Sequence, residues 1–216
     1  MKRILATSAI LAASVIGASA ATFYNISSVT NTNSSEFFAT NNLIQGSGTG
    51  FGAAEPHNQL GGGGGSFTWV TDAAFPEYYS GFPAPILWFD LGSDVLLTEI
   101  STWGYADTNT NGAKDITLRF ATDAEGTGGF GTSITYNPTF EAGFNYGPRD
   151  SNPFSQAVTA RYVEMTIPDN WQGFQGGTPG GDRVGLGEVA FEQIPEPSSA
   201  LLGLLGLSFL MRRKRR

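Results

Sequence analysis

Two short stretches set the limits on the fold. Asp115 to Ala121 alternates strictly, with Ile116, Leu118 and Phe120 on one side and Thr117, Arg119 and Ala121 on the other. Arg161 to Ile167 repeats the pattern, with Val163, Met165 and Ile167 facing inward and Tyr162, Glu164 and Thr166 outward. A period of two places successive side chains on opposite faces of a strand, and no helix can use it. Ile86 to Leu91 is nearly continuously apolar, which suits a central strand covered on both faces, and Leu96 to Tyr105 is a longer run rich in Thr, Ile and Trp. Val184 to Phe191 closes the main set, with shorter candidates at Phe23 to Val29, Phe37 to Thr40, Phe67 to Val70 and Ile134 to Tyr136. No amphipathic helix of about 12 residues can be drawn between them. The expected class is therefore all-β, a sandwich or jelly roll, with Trp69, Trp88 and Trp103 in its core.

The connections are long and rich in glycine. Gly61 to Gly65 is a run of five, but it lacks the Gly-Lys-Ser/Thr ending of a phosphate loop and reads as a flexible connection. Gly173 to Gly181 reads in the same way, and no internal repeat stands out.

Both ends of the chain carry a different signal. Met1 to Ala20 has a basic start at Lys2 and Arg3, an apolar stretch from Ile4 to Gly17, and small residues at Ala18 and Ala20 flanking Ser19, the pattern of a cleavable secretory signal peptide. The last 23 residues, Ile194 to Arg216, run from Pro195-Glu196-Pro197 through an apolar segment to the basic cluster Arg212, Arg213, Lys214, Arg215 and Arg216. The two prolines bar a helix from crossing them, and the terminal cations hold their end on the cytoplasmic side of a membrane. Ser198 to Met211 has 14 residues. A comfortable span needs roughly 20, so the segment suits transient processing better than permanent anchoring. The chain thus divides into a signal peptide (1–20), a β-sandwich domain (21–193) and a C-terminal signal with a short membrane helix (194–216).

Removing the two ends changes the charge. The body retains five basic residues, Lys114, Arg119, Arg149, Arg161 and Arg183, against 18 acidic ones, a balance of −13. Such a surface repels phosphate backbones, which argues against nucleic-acid partners and leaves neutral sugars or divalent cations. The chain has no cysteine, so disulfides and thiolate metal sites are excluded, and its single histidine, His57, stands beside no nucleophile motif.

The order Pro-Glu-Pro, apolar helix, basic cluster at the end of the chain resembles the PEP-CTERM sorting signal of exported proteins in Gram-negative, matrix-forming bacteria. The resemblance implies recognition by an exosortase-type membrane enzyme, transient attachment to the inner membrane through the tail, and delivery to the cell envelope or extracellular matrix. An ordinary tail anchor is the other reading of the same residues. A second resemblance covers about residues 40 to 192. Leu43-Ile44-Gln45-Gly46, Trp88-Phe89-Asp90-Leu91-Gly92, Ile116 to Asp123, Arg161 to Met165 and Gly185 to Phe191 follow in the order found in the discoidin, or F5/8 type C, domain. This implies a galactose-binding-like jelly-roll β-sandwich that binds glycans or lipid headgroups through loops at one end, without catalysis and often with a structural calcium. Where many members have Asp-Gly in the first motif, this chain has Gln45-Gly46, which removes an anionic calcium ligand.

Two groups of residues are candidates for binding. Asp107, Asn109 and Asn111, with Gly112 at the sixth position, match the first half of a calcium loop, so Ca2+ is the one cofactor the sequence offers. The twelfth position is Leu118 where a bidentate Glu is needed, and the same residues make good hairpin turns without metal. Tyr78, Tyr79, Trp171 and Phe174 lie in Pro- or Gly-rich segments, where aromatic faces can stack on a sugar ring or simply cap the sandwich. Acid pairs such as Asp169 and Asp182 could serve a glycan hydrolase, but no motif singles one out and no catalytic residue is assigned. The sequence thus points to an exported, non-catalytic envelope or matrix protein whose expected partner is an exopolysaccharide. The alternatives are a purely structural surface protein and, third, a hydrolase.

Overall fold

A computed structural model of the chain describes residues 22–44, 68–105, 111–132, 134–140, 149–171 and 181–193. The signal peptide with Ala18 and Ala20, His57, the five-glycine run, Asp107, Asn109, Phe174 and the whole tail from Pro195 to Arg216 lie outside the described residues.

The body is all-β. Ten strands run in chain order: β1 (Thr22–Phe23), β2 (Ser28–Asn31), β3 (Glu36–Phe38), β4 (Trp69–Thr71), β5 (Ile86–Trp103), β6 (Thr117–Ala121), β7 (Thr135–Tyr136), β8 (Asp150–Thr166), β9 (Gly185–Leu186) and β10 (Glu188–Gln193). Seven form one hydrogen-bonded path, β1-β10-β5-β8-β6-β7, with β2 beside β5; β3-β4-β9 form a second sheet. The single described α-helix, α1 (Tyr78–Gly81), is one turn long. Among the described residues no helix is long and apolar enough to cross a membrane.

The alternation read in the sequence is what the core uses. Ile116, Leu118 and Phe120 from the β6 stretch and Val163, Met165 and Ile167 from the β8 stretch are buried together with Leu87, Phe89, Leu97, Ile100, Val189 and Phe191. Two expected strands, Ile86 to Leu91 and Leu96 to Tyr105, are one strand of 18 residues. That strand cannot be straight. Phe89 stacks edge-on against Phe191 at 5.7 Å, and Phe191 is the register partner of Ile100. Along a straight strand Phe89 and Ile100 would be about 36 Å apart. The strand therefore folds back on itself, at Gly92 to Asp94, where all three residues are exposed and the pairing with β8 slips between Asp90 and Val95. Gly92 has φ +83°, the left-handed region that other residues enter at a cost. One half of β5, with β2, the end of β8 and β6, makes one layer, and the other half, with β10 and β1, makes the facing layer.

The structure corrects several sequence readings. Val184 to Phe191 is two strands in different sheets, joined at Gly187. A Cβ there would sit 2.5 Å from the Gly104 carbonyl oxygen and 2.8 Å from that of Trp103, so only glycine lets the chain change sheets so close to its neighbour. Phe23 to Val29 divides between β1 and β2, and the first half of β8 was not legible, since it alternates only weakly and contains Pro153. Trp69 and Trp103 are fully buried as expected, but Trp88 is half-buried on the outer face. There its Nε1 donates to Glu164 Oε2 at 3.0 Å and its ring lies 5.5 Å from Phe130. Glu164, expected to face water, is only 4% exposed: the loop after β6 covers it, and Arg119 donates to its Oε1 from Nε at 2.6 Å.

Candidate functional site at one end of the sandwich

Register defines the two ends. Asn31 pairs with Leu87, Ile86 and Thr117 both pair with Thr166, and Leu118 pairs with Tyr136, so the connections after β2, before β5, before β6, after β7 and after β8 gather at one end. The bend of β5 lies at the other. Thr22 pairs with Gln193 in antiparallel register, close to Leu97, so the chain enters and leaves the sandwich together at the bend end.

Backbone hydrogen bonds lace the loop end into one frame. Asp72 N–H donates to Ser35 O at 3.1 Å, Thr71 N–H to Val184 O at 3.0 Å, Ala74 N–H to Asp182 O at 2.7 Å and Tyr78 N–H to Gly181 O at 2.9 Å. Asn33 Nδ2 donates to Ala84 O at 2.9 Å. On this frame stand the exposed aromatic rings found among the described residues: Phe75, 86% exposed, Phe37, 56% exposed, and Phe82. Arg183 lies with its guanidinium carbon 4.4 Å from the Phe37 ring centroid. Its own backbone is clamped, because Asn111 Oδ1 accepts from its N–H at 3.3 Å and its carbonyl accepts from Asn170 Nδ2 at 2.8 Å.

The expected aromatic binders sit nearby but are used differently. Tyr78 is 2% exposed, stacked on Phe82 at 5.5 Å and edge-on to Tyr79 at 5.3 Å, so its ring has no face left for a sugar. This corrects the expectation for Tyr78: the one-turn helix that carries it points it into the core. Tyr79 is half-buried and its hydroxyl donates to Ile167 O at 2.9 Å. Burial, first, and the Asp169 carboxylate, second, push the Tyr79 phenol far above its ordinary range, and burial raises Tyr78 as well. Trp171 is half-buried with Lys114 Nζ 5.5 Å from its ring centroid. Lys114 in turn donates to Asp169 Oδ2 at 2.9 Å, a bond that raises the lysine pKa. Tyr78, Tyr79 and Trp171 thus lie at the loop end, where the exposed rings among the described residues are Phe37, Phe75 and Phe82. Their signal was faint: a phenylalanine beside proline or glycine reads equally well as loop packing.

Of the three residues of the calcium reading, only Asn111 lies among the described residues, and its side-chain oxygen is already engaged. Its Oδ1 accepts from the backbone amides of Gly181, at 2.8 Å, and Arg183, at 3.3 Å, so it faces two N–H dipoles. Among the described residues no group of three or more His, Asp or Glu side chains is placed to hold a metal. Asp169 forms its ion pair with Lys114.

No family model and no curated protein sequence matches the chain. Solved structures do. The family 32 carbohydrate-binding module (CBM32) of Clostridium perfringens NanJ, solved with galactose, superposes with a TM-score of 0.50 over 80% of this chain and 99% of that one, at 12% identity. The CBM32-1 and CBM32-2 domains of C. perfringens ZmpB give 0.52 over 84% of this chain and 40% of that one, at 11% identity. CBM32-3 of a family 31 glycoside hydrolase from C. perfringens gives 0.50 over 80% and 95%, at 10% identity. At these identities the likeness is one of fold: the body is a jelly-roll β-sandwich of the galactose-binding-like kind.

Proposed function

We propose that this protein is exported, sorted by its C-terminal tail to the cell envelope or extracellular matrix, and binds polysaccharide there without catalysis. The observation that carries the reading is the loop end itself, where Phe37, Phe75 and Phe82 stand exposed beside Arg183 on a hydrogen-bonded frame. Aromatic faces pair with the apolar faces of sugar rings, and a guanidinium supplies fixed donors to their oxygens. The solved domains of this fold named above include one in complex with galactose, which supports a sugar as the ligand class. The first and last described strands, β1 and β10, pair at the opposite end, away from these loops.

Five acids among the described residues, Asp169, Glu164, Glu99, Asp90 and Asp123, are each engaged by a Lys or Arg, so we assign none of them a catalytic role. Exosortase processing rests on the Pro195-Glu196-Pro197 tail alone.

A glycan array with the purified protein tests the binding. The expected result is retention of at least one glycan, weakened about tenfold by Phe75→Ala with an unchanged melting temperature, since tenfold is about 1.4 kcal/mol, on the order of one aromatic ring contact. Uniform blanks, with and without calcium, would favour a purely structural surface protein.

A further inference from the structure

Five cations serve 18 carboxylates in the body, and their pairing is uneven. Lys114 holds Asp169, Arg119 holds Glu164, Arg149 holds Glu99, and Arg161 holds both Asp90 and Asp123. Arg183 alone forms no ion pair among the described residues; its guanidinium lies on the ring of Phe37 instead. The arrangement is a built one. Asn111 and Asn170 fix the Arg183 backbone on both sides, and the next residue, Val184, donates its N–H to Thr71 Oγ1 at 3.0 Å.

Stacking on an aromatic face leaves the edge of a guanidinium open. That edge carries the N–H fork, whose geometry matches a carboxylate bidentately, and a side chain already held over a ring loses less freedom when the bonds form. We infer that Arg183 is the anion-recognising element of the loop end and that the polysaccharide it takes is acidic, a polymer containing uronic acid residues. The inference rests on the carbohydrate reading of this end and narrows it. A body of −13 repels a polyanion at long range. That field is screened beyond about 8 Å at physiological salt, whereas the fork acts in contact.

The test uses the full chain, in mild detergent at about 0.15 M salt, against polygalacturonate and alginate, each beside its carboxyl-reduced counterpart, by retardation in polysaccharide-containing native gels. At least one polyuronate is expected to retard the protein about tenfold more strongly than its reduced form, as one charge-assisted bidentate pair provides. Arg183→Gln should remove that difference with an unchanged melting temperature, and Arg183→Lys, which keeps the charge but not the fork, should keep only part of it. Equal retardation by acid and reduced polymers, or an Arg183→Gln variant that still prefers the acid, overturns the inference while leaving carbohydrate binding intact. Retardation by none of the four polymers also overturns it, and only a blank neutral-glycan array in addition removes the carbohydrate reading itself.

Discussion

At the level of single residues, the body diverts side chains that look like ligands into holding its own loops. Asn111 sits where a calcium loop would place an oxygen donor, yet its carbonyl closes two backbone amides that would otherwise lie unpaired. Asn111→Ala should therefore lower stability by about 1–2 kcal/mol, the cost of leaving buried donors unmade, read from the urea midpoint. The melting temperature of the parent protein should be the same with and without millimolar calcium. A calcium-dependent rise that the alanine variant loses would restore the metal reading. Glu164 makes the same point from the other side: its alternation placed it outward, correctly, but the sequence held no sign that Arg119, Trp88 and the Phe130 loop would close over it.

Among the strands, the pairing of β10 with β5 sets two carboxylates opposite each other, Glu192 against Glu99. Arg149 lies 3.3 Å from Glu99 and stacks 5.2 Å from the ring of Phe23 on β1, tying the outermost strand to the same cluster. Burial, and after it the neighbouring Glu99, raises the Glu192 carboxyl. Its folded form then holds a proton to higher pH than the unfolded chain does. The stability it contributes is present below the ordinary carboxylate range and is lost as pH rises through the raised value. Asp90 has the opposite sign: hydrogen bonding from Arg161 lowers it, so its contribution is lost as pH falls. Melting curves between about pH 4 and about pH 8 should show a decline in parent stability toward neutrality that Glu192→Gln flattens. A decline of equal size in the variant would remove Glu192 as its source. Period two made β6 and the second half of β8 legible, because each buries one face. The continuity of β5 across its fold, and the split at Gly187, were not legible, because both depend on which backbone lies alongside.

For the molecule as a whole, the first and last described strands, β1 and β10, meet at the bend end, while the aromatic loops lie at the other. If the tail directs sorting, replacing Pro195, Glu196 and Pro197 with alanine should change both the processing and the location of the protein when cells are fractionated. Identical processing and location in the two forms would end the sorting reading. The sequence by itself determined the class of the fold, the acidity of the body and the expected address, because alternation, charge count and terminal signals are local properties of a chain. Only the tertiary structure decided which residues make the loop end. The burial of Tyr78, the exposure of Phe75, and the placing of Arg183 on Phe37 without an acid partner among the described residues arise from segments far apart in sequence, Arg183 and Phe37 by 146 positions. Exposure and pairing are properties of neighbours in space, which the folded sandwich chooses and the order of residues does not display.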